Sequence, residues 1–144
     1  MSLTPISVIK DIAGDIPVEE LGFFDSLVFN LEGLYDADNP KILLCSMYCG
    51  CVRCLYIAAH EANHAHRHSI GVPAYENLPV RHLRDDSLST EEINEERIVD
   101  EETFLYLYNR LNTSEERKQL VAYHKTSQGL VSPTCVNMPI FPKL

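Results

Sequence analysis

Basic residues are scarce in this 144-residue chain: 12 lysines and arginines stand against 21 aspartates and glutamates, a formal net charge of -9. A field of that sign repels phosphate backbones and anionic lipid heads, which argues against nucleic acid or a membrane surface as a partner. The acids concentrate in residues 85–116, in the clusters Asp85-Asp86, Glu91-Glu92 and Glu95-Glu96. Such runs read as a solvated helix face, able also to draw a cation or a basic partner. No apolar run flanked by basic residues occupies residues 1–20, so no secretory signal is read there and a cytoplasmic location is expected. Internal repeats and low-complexity tracts are missing too, and so is any convincing alternation of apolar and polar residues. Without that strand signature, the expected fold is all-α: one compact, single-domain helical bundle over residues 1–144.

The five cysteines are an odd number, and four of them crowd into residues 45–54. That excludes a disulfide framework and leaves reduced, metal-bound or catalytic thiols. Long hydrophobic runs are also few. Residues 42–59 come near the minimum length for a membrane span, but Gly50 and Arg53 interrupt them and histidines follow at once. They read as a buried core helix.

Pro5 and Pro17 bracket a weak helical pattern at Val8, Ile9 and Ile12. Over residues 18–35, Leu21, Phe24, Leu27, Val28, Leu31 and Leu34 recur at helical steps, predicting an amphipathic helix that ends at the turn Asp36-Ala-Asp-Asn-Pro40. Residues 41–68 read as helical, broken near Gly50, with Gly71-Val-Pro73 as the stop. Ser89-Thr-Glu-Glu92 and Thr113-Ser-Glu-Glu116 each have the form of a helix start in which the hydroxyl caps and the glutamate reaches back. The stripe after the first (Ile98, Leu105, Leu107, Leu111) is imperfect. From about residue 130 a tail with Pro133, Pro139 and Pro142 reads as irregular.

Residues 45–68 gather the chemistry, and three patterns overlap in them. The first is Cys51-Val-Arg-Cys54. A break at Gly50 puts Cys51 in the first turn of a helix, where free amides and Arg53 favour a thiolate. His60 is the nearby proton carrier, although nine residues of ideal helix set it on the face opposite Cys51. The second is His60-Glu61-Ala-Asn-His64. On a helix these histidines stack one turn apart and can share a zinc or iron ion, with Glu61 as the general base of a hydrolase. His68 extends the stripe as a third ligand; the gluzincin class of metallopeptidases instead takes a glutamate from a later helix, and Glu95 or Glu96 is the candidate. Glu61-Ala-Asn-His64 has the ExxH spacing of di-iron bundles, but no second ExxH accompanies it.

Residues 40–72 resemble the carboxymuconolactone decarboxylase and alkylhydroperoxidase D-like family, in which CxxC and a following histidine share a helix. Here Cys51-Val-Arg-Cys54 is followed by Ala58-Ala59-His60-Glu61 and Gly71, with five residues between Cys54 and His60 where that family has three. The resemblance implies an all-helical oligomer. Its Cys51 and Cys54 would reduce a peroxide or disulfide, acting on a small-molecule or thiol substrate, with His60 moving the proton and no cofactor. That is the leading reading. The alternatives are the metal site of His60, His64 and His68 with Glu61, and a non-catalytic helical interaction protein.

Four further groups receive lesser roles. His82, Asp85 and Asp86 read as a solvated loop, and His124 as a charge opposing a helix dipole. Cys135 stands alone in the tail, and Tyr106 and Tyr108 read as core or interface aromatics.

Overall fold

A computed structural model describes residues 3–21, 32–75 and 90–129. Helix α1 (Pro5–Ala13) starts where Thr4 and Ser7 cap each other reciprocally, and it buries Val8 and Ile9. Three short strands follow: β1 (Val18–Glu20), β2 (Gly33–Asp36) and β3 (Lys41–Leu44). The long helix α2 (Val52–Ser69) comes next, then a single 3-10 turn at Pro73–Tyr75. Helices α3 (Thr90–Tyr108) and α4 (Ser114–Gly129) complete the described chain.

The all-α expectation is overturned: the strands form one mixed sheet in the order β1-β3-β2, so the fold combines helices with a small sheet. Strand β3 runs parallel to β1 and antiparallel to β2. The reason lies in strand length. Three or four residues are too few for a period of two to show, and in β3 the alternation of buried Ile42 and Leu44 is masked because Leu43 between them is apolar as well. The helix expected over residues 18–35 has β1 at one end and β2 at the other, while residues 22–31 lie outside the described residues. The turn at residues 36–40 is real, yet it joins two strands. Asp36 accepts from the amides of Asp38 and Asn39 and folds the hairpin back.

Residues 41–68 likewise divide into β3, a loop containing Gly50, and α2. Gly71, with φ at +83°, ends that element in the left-handed region glycine tolerates. Thr113 and Glu116 form the expected reciprocal cap of α4. Ser89 and the tail from residue 130 lie outside the described residues.

Helix α2 is the axis of the molecule. Leu55, Tyr56, Ala58, Ala59 and Ala62 on it are all buried, and the alanines let α1 lie close along it. The sheet covers another side and α3 a third. Among the described residues, no helix is long and apolar enough to cross a membrane.

The register of the sheet determines what its free edge presents. The Cys45 amide donates to the Glu32 carbonyl, so Leu34 is a hydrogen-bonded partner of Leu43 and the alternate residues Gly33 and Tyr35 are not. Their backbone groups therefore point away from β3.

Candidate functional site

The side chains of His60 and His64 project from one face of α2, one turn apart, with their Nε2 atoms 3.2 Å from each other. Glu96, from the second turn of α3, meets both. Its Oε1 is 3.2 Å from His60 Nε2 and its Oε2 is 2.9 Å from His64 Nε2. Two nitrogens and a carboxylate thus surround one point and could hold a metal ion. For bonds of about 2.0–2.2 Å, a tetrahedral zinc site separates its ligand atoms by roughly 3.3–3.5 Å. The three observed separations fall at or just under that range, so the donors fit a cation of zinc's size.

The outward nitrogens decide which tautomer each ring holds. His60 Nδ1 lies 3.0 Å from Asp100 Oδ1; a carboxylate only accepts, so Nδ1 carries the proton and Nε2 is left for a cation. His64 Nδ1 lies 2.5 Å from the Tyr75 hydroxyl. That hydroxyl is itself bonded to Glu95, to which it donates, so its oxygen accepts from His64. Both rings are turned the same way, each held by an acceptor behind it, as metal-binding histidines usually are.

Behind these acceptors stands a further layer. Asp100 also accepts from the Tyr56 hydroxyl at 3.2 Å, and His124 Nδ1 lies 3.0 Å from that hydroxyl. Glu95 is gripped by Arg67 through two bonds, at 2.5 and 3.0 Å, which tie α3 to α2 beside the site. The buried face of α3 is therefore largely polar, with Glu95, Asp100 and Thr103 turned inward and Ile98 and Leu105 exposed. This accounts for its imperfect apolar stripe. Glu95 and Asp100 are thus not part of a solvated face, and Glu96, partly exposed, turns its carboxylate to the histidines.

Electrostatics at the site follow the same geometry. Burial would lower the basicity of His60, but its bonds to Asp100 and Glu96 and the charges of Glu96 and Glu61 outweigh that and hold it well above the usual histidine range. Burial works against ionised Glu96, yet the charge of His64 and the bonds from both histidines hold its carboxyl well below the usual range.

Glu61 sits on the β2 side of α2. Its carboxylate accepts from the outward-pointing Tyr35 amide and lies within the fields of His60, His64 and Glu96. Burial raises its pKa, against the two histidines, which lower it. Strand β2 comes this close because residue 33 has no side chain: a Cβ there would stand 2.5 Å from Ile57 Cγ2 and 3.3 Å from Glu61 Cγ.

The thiols form a separate group at the other end of α2. Cys51 is the N-cap, and its sulfur lies 3.1 Å from that of Cys49. Cys54 in the first turn completes a trio whose sulfurs all lie within 4.8 Å of one another. A hydrogen bond from Cys54, against the penalty of burial, lowers the Cys51 thiol to about 5, and Cys49 and the amides of Cys54 and Arg53 assist. Cys54 is raised correspondingly, because its proton is committed to Cys51.

The expected residues are thus divided between two centres. Cys51 and Cys54 are together, whereas His60 is bound to His64, Glu96 and Asp100; nine residues of helix place it about 13 Å along the axis from Cys51 and on the other face. His68 does not join His60 and His64: its Nδ1 lies 2.7 Å from the Tyr35 hydroxyl and its ring stacks on Tyr75, while Glu96 completes the group that could hold a metal. Nor is His124 a dipole charge: it is buried, stacked on Phe104 and bonded to Tyr56, and burial lowers its pKa. Tyr106 donates to Asp11 and Tyr108 is partly exposed. His82, Asp85, Asp86 and Cys135 lie outside the described residues.

Sequence reasoning missed Asp100 and Tyr75. The position of Asp100, four residues after Glu96 and hence on the same helix face, was a usable signal; Tyr75 had none. Comparison with protein-family models, with curated proteins and with solved structures gives no match to this chain.

Proposed function

We propose that this protein is a zinc-dependent hydrolase in which His60, His64 and Glu96 hold the metal and Glu61 is the general base. The observation that carries this reading is the arrival of Glu96, from a separate helix, at the Nε2 atoms of the HExxH histidines. Two histidines and a glutamate leave a fourth position open, the arrangement of catalytic rather than structural zinc sites. The same donors suit ferrous iron; Glu61, next to the pair and turned to the sheet, favours hydrolysis.

When bound, a zinc ion lowers the pKa of a coordinated water to about 7 and polarises a carbonyl oxygen. The protein's own residues do the rest. Glu61 takes the proton from the attacking water and passes it to the leaving group; its raised pKa brings it nearer the value such a shuttle needs. Asp100 and Tyr75 position the histidines by holding their Nδ1 protons. The HExxH pair with a glutamate from a later helix resembles the gluzincin ligand set, and the bond to be cleaved is accordingly a peptide amide.

A dithiol redox function is the second reading, and the Cys54-to-Cys51 hydrogen bond favours it. It ranks below the hydrolase because its proton carrier belongs to the other centre.

The test is elemental analysis of unchelated protein, followed by cleavage of a mixed fluorogenic peptide library. The expected result is zinc in a ratio that His64→Ala lowers by one per chain, and cleavage that Glu61→Gln reduces by about 10²–10⁴-fold with that zinc retained. Wild-type zinc content in His64→Ala, or full cleavage by Glu61→Gln, would overturn the proposal.

A further inference from the structure

The cysteines at the start of α2 have a geometry that the hydrolase reading does not use. Cys49, Cys51 and Cys54 are all free and half-buried, and their sulfurs face one another. A disulfide employs two sulfurs and strands the third. A cation employs all three. Around a zinc ion with Zn–S bonds of about 2.3 Å, tetrahedral thiolates stand roughly 3.8 Å apart. The observed triangle has one edge of 3.1 Å and none beyond 4.8 Å, close enough for all three sulfurs to reach one ion.

The chain supplies the donors in a way that suits chelation. Cys51 is the N-cap and Cys54 lies in the first turn, so the helix itself sets their spacing. Cys49 comes from the loop before the helix, with its amide bonded to the Ser46 hydroxyl. Cys45 is exposed on the same loop and lies outside this group of three.

We propose that Cys49, Cys51 and Cys54 form a second metal site, a three-thiolate centre for a thiophilic cation of the zinc class. On binding, the sulfurs that still carry protons release them to solvent, and three metal–sulfur bonds form. No electrons move. The site fastens the loop after β3 to the first turn of α2, the helix that carries His60 and His64, so its role is to hold the base of the hydrolytic helix in place. A soft ion prefers the thiols, while the imidazole and carboxylate donors take a borderline one.

The experiment uses the full chain, stripped of metal and reloaded with cobalt(II) or zinc(II) alone. Cobalt is expected to produce thiolate-to-metal charge-transfer absorption in the wild type and in His64→Ala, and none in a Cys51→Ser/Cys54→Ser variant. Zinc is expected to slow alkylation of three thiols per chain by at least tenfold, in wild type and His64→Ala equally. Because His64→Ala leaves these signals intact, failure of the hydrolase reading and failure of this one are separable. Absence of the charge-transfer band in wild-type protein, or a Cys51–Cys54 disulfide forming as readily with zinc as without, would overturn the proposal. Should the double serine variant not fold, alkylation protection in the wild type decides alone.

Discussion

Glu95 and Glu96 are consecutive in sequence and opposite in duty. Glu95 closes a two-bond pair with Arg67, while Glu96 turns to His60 and His64, with its Oε2 2.9 Å from His64 Nε2. One step along a helix rotates a side chain by about 100°, so the structural pair clamps α3 to α2 and the neighbouring residue is delivered to the histidines. Glu95→Gln is expected to lower unfolding stability by about 1–3 kcal/mol, because the partly buried Arg67 loses its two-bond partner and keeps, among the described residues, only Glu102, at 3.8 Å. Glu96→Gln is expected to cost little stability and to lose metal. Urea denaturation and elemental analysis on both variants separate the two roles; similar behaviour of the two would show the assignment to be wrong.

Asp100 is a positioning residue. Its carboxylate keeps the His60 proton on Nδ1, and an asparagine can instead donate to Nδ1 and move the proton to Nε2. Asp100→Asn is therefore expected to weaken zinc binding by about 10–100-fold, measured by competition with a chromophoric chelator. Partial rescue by Asp100→Glu marks a positioning effect. A loss of melting temperature with unchanged zinc affinity would mark a merely structural one.

Gly33 lets β2 rest on α2. A methyl group at this position meets Ile57 Cγ2 at 2.5 Å and Glu61 Cγ at 3.3 Å. Gly33→Ala is expected to cost about 1–3 kcal/mol of stability through overpacking. It should also lower peptide cleavage more than zinc content, since it displaces the base and leaves the ligands alone. Cleavage at the wild-type rate in a folded Gly33→Ala protein would remove Glu61 from the role given to it.

His124 ties acid stability to the layer behind the site. Burial lowers its pKa, with the charges of Asp100 and Glu101 opposing, and it bonds Tyr56 and stacks on Phe104. A histidine with a folded pKa below its unfolded value of about 6.5 contributes stability that is complete above that pH. The contribution is lost as pH falls from there toward the folded pKa, because the unfolded chain binds the proton first. Wild-type protein should thus lose melting temperature between pH 7.5 and 5 more steeply than His124→Gln. Parallel melting curves across that range would refute the effect.

How much of this was legible follows from the range of each interaction. The His60–His64 pair, the adjacent Glu61, the thiol group at Cys51 and Cys54, the Thr113 cap and the break near Gly50 all depend on residues within one or two turns of each other. Helical geometry alone places such residues, so the sequence by itself determined them. It also narrowed a third ligand to a few candidates, His68, Glu95 and Glu96.

Only the tertiary structure shows which of them meets both histidines, because that depends on how α3 rotates against α2, and the Arg67–Glu95 pair accompanies that rotation. It alone separated His60 from the thiols and joined it to Asp100. It alone showed the sheet: β1 gains its hydrogen bonds from β3, a partner distant in sequence, β2 gains its own across the hairpin turn, and strands of three or four residues carry no period that a reader of the chain can detect. Local spacing set the side chains that share a helix face; packing between helices and across the sheet set everything that meets them.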